Sequence, residues 1–243
     1  MRIFDRPQDH IFSVTKLLDH INSSLYTSKI DPGKWMFRGE SNFDYTLKPS
    51  IGRLFGKEPF SSKEILLKFE KSSFNEFQVS SYNQLRESNL FILLAVAQHH
   101  GLKTRLLDWS FSALVALFFA VENESHFDTD GSFIAFQSQF PFNQHIQKSS
   151  SPFDMEEDYD FVFTPSLSRR IEAQQGIFQL FRDPTEEFSE ASNLMKFRIP
   201  NSKKANIKRE LEVLGISYKT IFPDLDGLCK TINYNKLQSQ SIY

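Results

Sequence analysis

Hydrophobic positions along the chain follow two patterns, one typical of helices and the other of strands. After Asp9, which suits a helix N-cap, apolar residues recur at helical spacing and predict a helix over residues 9–26. The same reasoning predicts further helices at residues 61–77, 166–173, 202–214 and 225–234. Short apolar and aromatic runs predict strands at residues 34–37, 132–136, 177–181 and 194–199. We therefore expect an α+β fold, in which a compact mixed or antiparallel sheet is flanked by helices.

Two further segments, Leu90–Ala97 and Ala113–Val121, are almost wholly apolar, which indicates helices buried across the sheet. The connection between them, residues 98–110, is rich in polar side chains. Because it is tied at both ends to buried helices, its donors and acceptors must be satisfied near the core or by a ligand. This connection is therefore a candidate functional site, and Ser110 and Ser112 are expected at the start of the second helix.

Composition narrows the class of protein. A length of 243 residues with 40% hydrophobic residues predicts one globular domain over residues 1–243, and residues 138–165 are interpreted as an irregular insertion. The 26 Phe residues can build a large aromatic core. A single cysteine, Cys229, fits a reducing compartment, and no apolar run is long enough to span a bilayer. We expect a soluble, cytoplasmic protein with no membrane partner.

Several common kinds of site are not indicated by the sequence. The glycines form no dinucleotide fingerprint, P-loop or nucleophile elbow. The adjacent His99 and His100 would point about 100° apart on a helix, so they cannot share one metal ion, and no metal is expected. The net charge of −2 gives no overall attraction to nucleic acid. The cluster formed by Lys203, Lys204, Lys208 and Arg209 is interpreted as a solvated helix face, with a nucleic-acid contact as the alternative.

Three polar segments inside apolar surroundings are expected to meet in one cleft: Arg38 at the end of the first predicted strand, residues 98–110, and residues 172–176. Each has a structural alternative. Arg38 could be a buried arginine paired with a carboxylate such as Asp108, and Arg105 could pair with Asp108 instead of a ligand. A histidine followed by Gly101 could simply end a helix.

Four blocks together resemble the signature of the FRG-domain family, which is named after a Phe-Arg-Gly tripeptide. They are Phe37-Arg38-Gly39-Glu40, the segment Gln98 to Ser110 with Ala116 to Ala120, Arg170-Ile171 with Gln174 to Phe178, and Ile221 to Leu228. Their order and spacing cover residues 35–232. The resemblance implies an effector of bacterial or phage conflict, toxin or defence systems, together with a neutralising or regulatory partner, and it leaves the reaction open.

A second resemblance is to ADP-ribosyltransferases, and it would make NAD the substrate. Arg38 matches the arginine of an aromatic-Arg-Gly strand, Ser110 or Ser112 stands for a Ser/Thr on a middle strand, and Glu172 is the nearest acid to the third block, although Gln175 is its conspicuous polar side chain. Cleavage of NAD needs a carboxylate near the ribose, a cation for the diphosphate and an aromatic surface for nicotinamide. On this hypothesis the catalytic residues are Glu172, Gln175 and Asp108. The NAD-binding residues are Phe37, Arg38, Gly39, His99, His100, Thr104, Arg105, Trp109 and Ser110.

Three hypotheses for the function follow. The first is an NAD-using enzyme, an ADP-ribosyltransferase or NAD glycohydrolase, with a protein or nucleic-acid acceptor. The second is a non-catalytic module that senses a nucleotide or nucleic acid. The third is a nuclease that uses Asp108 with His99 or His100.

Overall fold

A seven-stranded mixed sheet organises the fold. The computed structural model describes residues 1–25, 35–138, 150–162, 169–189 and 193–240, with the backbone alone at residues 24–25 and 238–240. The strands are β1 (Arg2–Phe4), β2 (Trp35–Glu40), β3 (Leu106–Ser110), β4 (Gly131–Gln137), β5 (Tyr159–Val162), β6 (Gly176–Phe181) and β7 (Leu194–Ile199). Their order in the sheet is β1-β7-β4-β2-β3-β6-β5. Only the β1–β7 pair is parallel among these strands, which confirms the predicted mixed α+β architecture.

The α-helices of the described residues are α1 (Val14–His20), α2 (Lys63–Leu85), α3 (Leu90–His99), α4 (Ala113–Val121), α5 (Arg169–Ala173), α6 (Asn201–Val213), α7 (Tyr218–Ile221) and α8 (Leu225–Gln240). Side-chain caps set where several of them begin. Ser13, Asn89 and Ser112 each accept a hydrogen bond from a backbone N–H of the first turn that follows. No helix among the described residues is both long and apolar enough to cross a membrane.

Strand alternation divides the hydrophobic residues between the two faces of the sheet. On one face, Phe37 and Phe133 pack with α4 and α6, while Leu106 and Phe178 pack with α2, α3 and α5. On the other face, Trp109 and its neighbours are covered by residues from connecting segments, such as Leu47 and Phe188. Both strongly apolar helices therefore lie on the sheet, as predicted.

The sheet is split between β2 and β3. Six residue pairs join β2 to β4, whereas β2 and β3 share the single pair Phe37–Ser110. Beyond that pair the two strands no longer form a ladder, and the end of the sheet is open. A split of this kind places backbone and side-chain polar groups beside a gap, which is a suitable place for a ligand.

Gly39 lets β2 approach α4 closely at this split. A Cβ atom added to Gly39 would lie 1.8 Å from the carbonyl oxygen of Ala116 and 2.7 Å from the nitrogen of Ala120. Both atoms belong to the helix backbone, so no side-chain movement could relieve the overlap. The glycine of the tripeptide is therefore required by packing of strand against helix.

The structure corrects several boundaries predicted from the sequence. The first helix begins at Val14 rather than near Asp9, its cap is Ser13, and a π-helical turn (Ile21–Leu25) follows it. Residue 26 of the predicted helix lies outside the described residues. Strand β1 was not predicted from the sequence. Residues 138–165 are not wholly irregular, because β5 lies within them; residues 139–149 and 163–168 lie outside the described residues.

The prediction that the basic cluster on α6 forms a solvated face was also wrong in part. Lys203 and Arg209 are exposed, but Lys204 and Lys208 are buried. The Lys204 ammonium donates to the carbonyls of Ser41 (2.6 Å) and His126 (2.7 Å), so it links α6 to two loops. Periodicity alone does not distinguish a solvated lysine from one that spans a buried gap between elements.

Candidate functional site

The split between β2 and β3 opens into a cavity of about 440 Å³. Its walls include Arg38 from β2, His99 and Asp108 from α3 and β3, and Gln174 beside β6. The three polar segments singled out in the sequence therefore do meet. The cavity has two sides, the strand wall (Arg38, Glu40 and Asp108) and the helix wall (His99, Glu122 and Arg170).

Arg38 is held by two partners on the strand wall. Its Nε donates to Glu40 Oε1 at 2.7 Å, and its Nη1 donates to the backbone carbonyl of Asp108 at 2.5 Å. The second bond crosses the split where the β2–β3 ladder has ended. The expected carboxylate partner was Asp108, but the ion pair is with Glu40, and Asp108 contributes its carbonyl. Nη2 has no partner among the described residues and is available to a ligand.

Asp108 is oriented by a chain of hydrogen bonds. The Leu106 N–H donates to the Thr104 hydroxyl (3.2 Å), and that hydroxyl donates to Gln98 Oε1. Gln98 Nε2 is then free to donate to Asp108 Oδ1, at 2.7 Å. Asp108 lines the cavity, whereas Thr104 is fully buried. Thr104, predicted to bind the cofactor, instead fixes the amide that holds the carboxylate.

Arg105 does not reach the cavity. It is 4% exposed, and its guanidinium forms a forked ion pair with Glu70 of α2, the shortest contact being 2.6 Å. Its Nη1 also donates to the Arg182 carbonyl, and its guanidinium carbon lies 4.7 Å from the centre of the Phe153 ring. Arg105 therefore forms an ion pair within the fold, as its structural alternative proposed, although its partner is Glu70 and not Asp108.

The two histidines have different surroundings. His99 lines the cavity as the last residue of α3, while His100 is the exposed C-cap. Gly101 has φ = +95°, and the N–H groups of Gly101 and Leu102 bond to the carbonyls of Gln98 and Ala97 (both 2.9 Å), which is a Schellman ending. Burial, with added repulsion from Arg170 and His100, lowers the pKa of His99 below its ordinary value. His99 is therefore neutral near pH 7.

The aromatic residues expected to hold a ring are buried in the core. Trp109 is 3% exposed, and its indole N–H donates to Gln179 Oε1 at 2.9 Å on the face away from α3 and α4. Phe37 stacks on Phe133 with their centroids 5.6 Å apart. Although both residues border the cavity, neither ring face is free. Tyr45, which is exposed, and Phe119, which is half-buried, also line the cavity, so they are better placed to contact a ring.

Glu172 and Gln175, the carboxylate and amide expected beside the ribose, are exposed and do not border the cavity. Their neighbour Gln174 does so instead. Gln175 has a left-handed backbone (φ = +46°), and its carbonyl accepts from Phe111 N–H at 3.0 Å. Ser110 lies at the end of strand β3 and not at the start of a helix, and its hydroxyl donates to the Gln174 carbonyl at 2.7 Å. This region therefore joins β3 to β6.

The helix wall contains residues that sequence reasoning missed. Glu122 follows α4 on the same stripe as Ala116 and Phe119, each three positions apart, and all three residues line the cavity. Arg170 lies on α5, and its guanidinium carbon is 4.4 Å from the centre of the Phe222 ring. Among the described residues, the side chains of Glu122, Arg170 and His99 make no hydrogen bond or ion pair.

Electrostatics set the helix wall apart. Burial raises the pKa of Glu122 above its ordinary value, even though Lys230, Lys208 and Arg170 act in the opposite direction. The only signal in the sequence for Glu122 was its place at the end of an apolar helix, which indicates a residue that leaves the core.

Within the described ranges, no group of three or more His, Cys, Asp or Glu residues is arranged to hold a metal ion.

Comparison with known proteins adds one finding. Neither the curated proteins nor the solved structures contain a significant match to this chain. Residues 33–129 match the family model of the FRG domain, and they include β2, β3 and the helices α3 and α4 that border the cavity. The chain is therefore similar to the FRG-domain family over residues 33–129.

Proposed function

We propose that the cavity binds NAD and that the protein is an effector enzyme that cleaves NAD or transfers its ADP-ribose to an acceptor. The observation that carries this proposal is the convergence of three arginines, Arg38, Arg53 and Arg170, on one cavity that also contains carboxylates. A volume of about 440 Å³ falls within the range of ligand pockets. A dinucleotide needs cations for its diphosphate, a carboxylate beside the reacting ribose and a surface for its rings.

The three arginines differ in how free they are to bind an anion. Arg38 offers Nη2 alone, because Nε and Nη1 are already engaged. Arg53 is 43% exposed at the side chain and lies 3.8 Å from Glu40, a distance that an incoming phosphate could change at little cost. Arg170 has no carboxylate partner among the described residues. Guanidinium groups suit a diphosphate because they donate in pairs.

The test is incubation of the protein with NAD, with separation of nicotinamide and ADP-ribose by chromatography. Arg53→Ala and Arg170→Ala should each raise KM for NAD about tenfold, the loss of one charge-assisted hydrogen bond. Lys57→Ala removes an exposed cation near Arg53 that does not border the cavity, so it is the matched control. If NAD stays intact with protein and nucleic-acid acceptors present, the proposed reaction is wrong. Binding of NAD without turnover would instead support a nucleotide-sensing module.

A nuclease is the second candidate, and one observation favours it. Asp108 and His99 border the same cavity, and the charge of Asp108 acts on His99. His100, the alternative to His99 in this hypothesis, is exposed and does not border the cavity with Asp108. Degradation of labelled RNA or DNA by the same preparation, lost in His99→Ala and kept in His100→Ala, would favour this function over NAD cleavage.

A further inference from the structure

The cavity contains three carboxylates, and their surroundings differ. Glu40 is paired with Arg38 at 2.7 Å and is 8% exposed at the side chain. Asp108 has one oxygen engaged by Gln98 at 2.7 Å. Glu122 has no hydrogen bond or ion pair through its side chain among the described residues. Of the three, Glu122 is the carboxylate whose oxygens are both available to a ligand.

The position of Glu122 is fixed by contacts to its backbone and not to its side chain. The Glu122 carbonyl accepts from the Tyr218 hydroxyl at 2.5 Å and from Lys208 Nζ at 3.1 Å. Lys208 is itself buried, and it lies 5.0 Å from the Tyr218 ring centre and 4.3 Å from that of Tyr234. Two donors from α6 and α7 therefore hold the end of α4, while the carboxylate remains uncommitted.

The neighbours of Glu122 suit a nicotinamide nucleotide. Phe119 lies one turn earlier on the same stripe and also lines the cavity, so its ring can contact a flat heterocycle beside the carboxylate. Arg170 lines the same cavity, and its charge acts to lower the pKa of both His99 and Glu122. A cation for phosphate, a carboxylate for the ribose and a ring surface thus occur together on the helix wall.

From this arrangement, and resting on the proposed function, we infer that Glu122 is the catalytic carboxylate that faces the ribose C1′ of NAD. The bond between C1′ and the nicotinamide nitrogen breaks, and its electron pair leaves with neutral nicotinamide. The carboxylate stabilises the positive charge that develops on the ribose. A water oxygen, or the nucleophile of an acceptor, then bonds to C1′ and gives up a proton, which Glu122 accepts before releasing it to solvent.

An isosteric substitution tests this role. Glu122→Gln should lower kcat for nicotinamide release by about 100-fold or more, because the amide cannot offset the ribose cation. The affinity for ADP-ribose, measured by calorimetry, should stay comparable to wild type, which excludes loss of the cavity. Glu172→Gln, at the acid first expected from the sequence, should retain activity, and the exposed Glu76→Gln on α2 is the inert control.

A second readout separates catalysis from structure. The folded protein faces Glu122 with Arg170 from α5, Lys208 from α6, Tyr218 from α7 and Lys230 from α8. Activity of the wild type should fall as pH drops through the raised pKa of Glu122, and the residual activity of Glu122→Gln should lack that acid limb. Formate added to Glu122→Ala should restore part of the rate, because a small carboxylate can occupy the vacated space.

The outcomes separate the two proposals. An active wild type with undiminished Glu122→Gln, or with loss of activity in Glu172→Gln or Asp108→Asn alone, overturns the role of Glu122 and leaves the proposed function standing. An inert wild type that releases no nicotinamide overturns the proposed function and this role with it. Loss of kcat with retained ADP-ribose affinity and a vanished acid limb supports the inference.

Discussion

The two walls of the cavity contain the same kinds of side chain in different states. On the strand wall, Arg38 and Glu40 are joined to each other, and Asp108 is held by Gln98. On the helix wall, Glu122 and Arg170 have no such partners among the described residues. The strand wall holds the tripeptide that dominates the sequence pattern, yet its charges serve largely to hold the sheet together at the split. Of these two groups, Arg170 belongs to the third block of the sequence pattern but was given no role there, and Glu122 lies outside all four blocks.

The largest effect is expected at Gly39, where the strand wall meets α4. Gly39→Ala would place a methyl group 1.8 Å from the Ala116 carbonyl oxygen, and we expect a loss of about 3 kcal/mol or more in the free energy of unfolding, measured with urea. Gly176→Ala is the matched control, because the nearest atom to its new Cβ would be Ile171 Cγ2 at 3.5 Å. Equal stability of the two variants would contradict the close packing of β2 on α4.

Arg38→Ala tests whether the strand wall is structural. The substitution leaves Glu40 buried without its closest partner and removes the bond across the split, so we expect a loss of about 3 kcal/mol. Arg53→Ala removes a more exposed arginine 3.8 Å from the same carboxylate and should cost less than about 1 kcal/mol. If Arg38→Ala is as stable as wild type and only ligand binding is lost, Arg38 belongs functionally with the helix wall.

Arg170→Ala tests whether the helix wall, unlike the strand wall, contributes little to stability. The free energy of unfolding should fall by about 1 kcal/mol at most, since only the contact with the Phe222 ring is lost. The affinity for ADP-ribose should fall about tenfold, measured by calorimetry at fixed salt. A large loss of stability with unchanged affinity would place Arg170 among the structural arginines, beside Arg105.

Unlike the substitutions above, which lower stability, Glu122→Gln should raise the stability of the fold at neutral pH. Burial raises the pKa of Glu122 in the folded state, so the fold binds this proton more tightly than the unfolded chain does. Stability is then lost as pH rises from the ordinary carboxyl range through the raised pKa, and the variant avoids that loss. We expect Tm of Glu122→Gln to exceed that of wild type at neutral pH and to match it in acid. A lower Tm at neutral pH would mean that the carboxylate stabilises the fold.

The smallest effect is expected at Gln175, outside both walls. Its left-handed backbone costs a non-glycine residue about 1 kcal/mol, so Gln175→Gly should be equal to wild type in stability or slightly more stable. Its side chain does not border the cavity, so the rate of nicotinamide release should be unchanged. A rate that falls sharply would return Gln175 to the catalytic role that its place in the sequence first indicated.

Much of the fold follows from patterns read in the sequence. The strand predicted at 194–199 and the helix Ala113–Val121 agree with the structure residue by residue, because each is a clear apolar run with strong boundaries. The strand β3 was missed, because Leu106–Ser110 is short and contains the charged Asp108, so it was interpreted as part of a polar loop. Local pattern cannot show that a short polar segment inserts between two strands that are distant in sequence.

The meeting of the three polar segments at one cavity was predicted from the sequence, but several of the residues named for the site do not border that cavity. Arg38, Asp108 and His99 border the cavity as expected, since polar residues among apolar ones must lie at a boundary. The side chains of Trp109 and Arg105 are engaged within the protein. Alternation along β3 directs the Trp109 ring into the core, and Arg105 forms an ion pair with Glu70, which is distant in sequence. Such long-range pairings decide which charges stay free, and they are not encoded in local spacing.

The strand order bears on whether residues 33–129, which match the FRG domain, can fold independently. In the sheet, β2 lies between β3 and β4, but β4 begins at Gly131, after the last residue of the FRG match. A polypeptide ending at residue 129 would leave the longer ladder of β2 without its partner and would lack Arg170. The recognisable stretch is thus not an autonomous module, and any graft into another protein must bring the strands and helices that follow it.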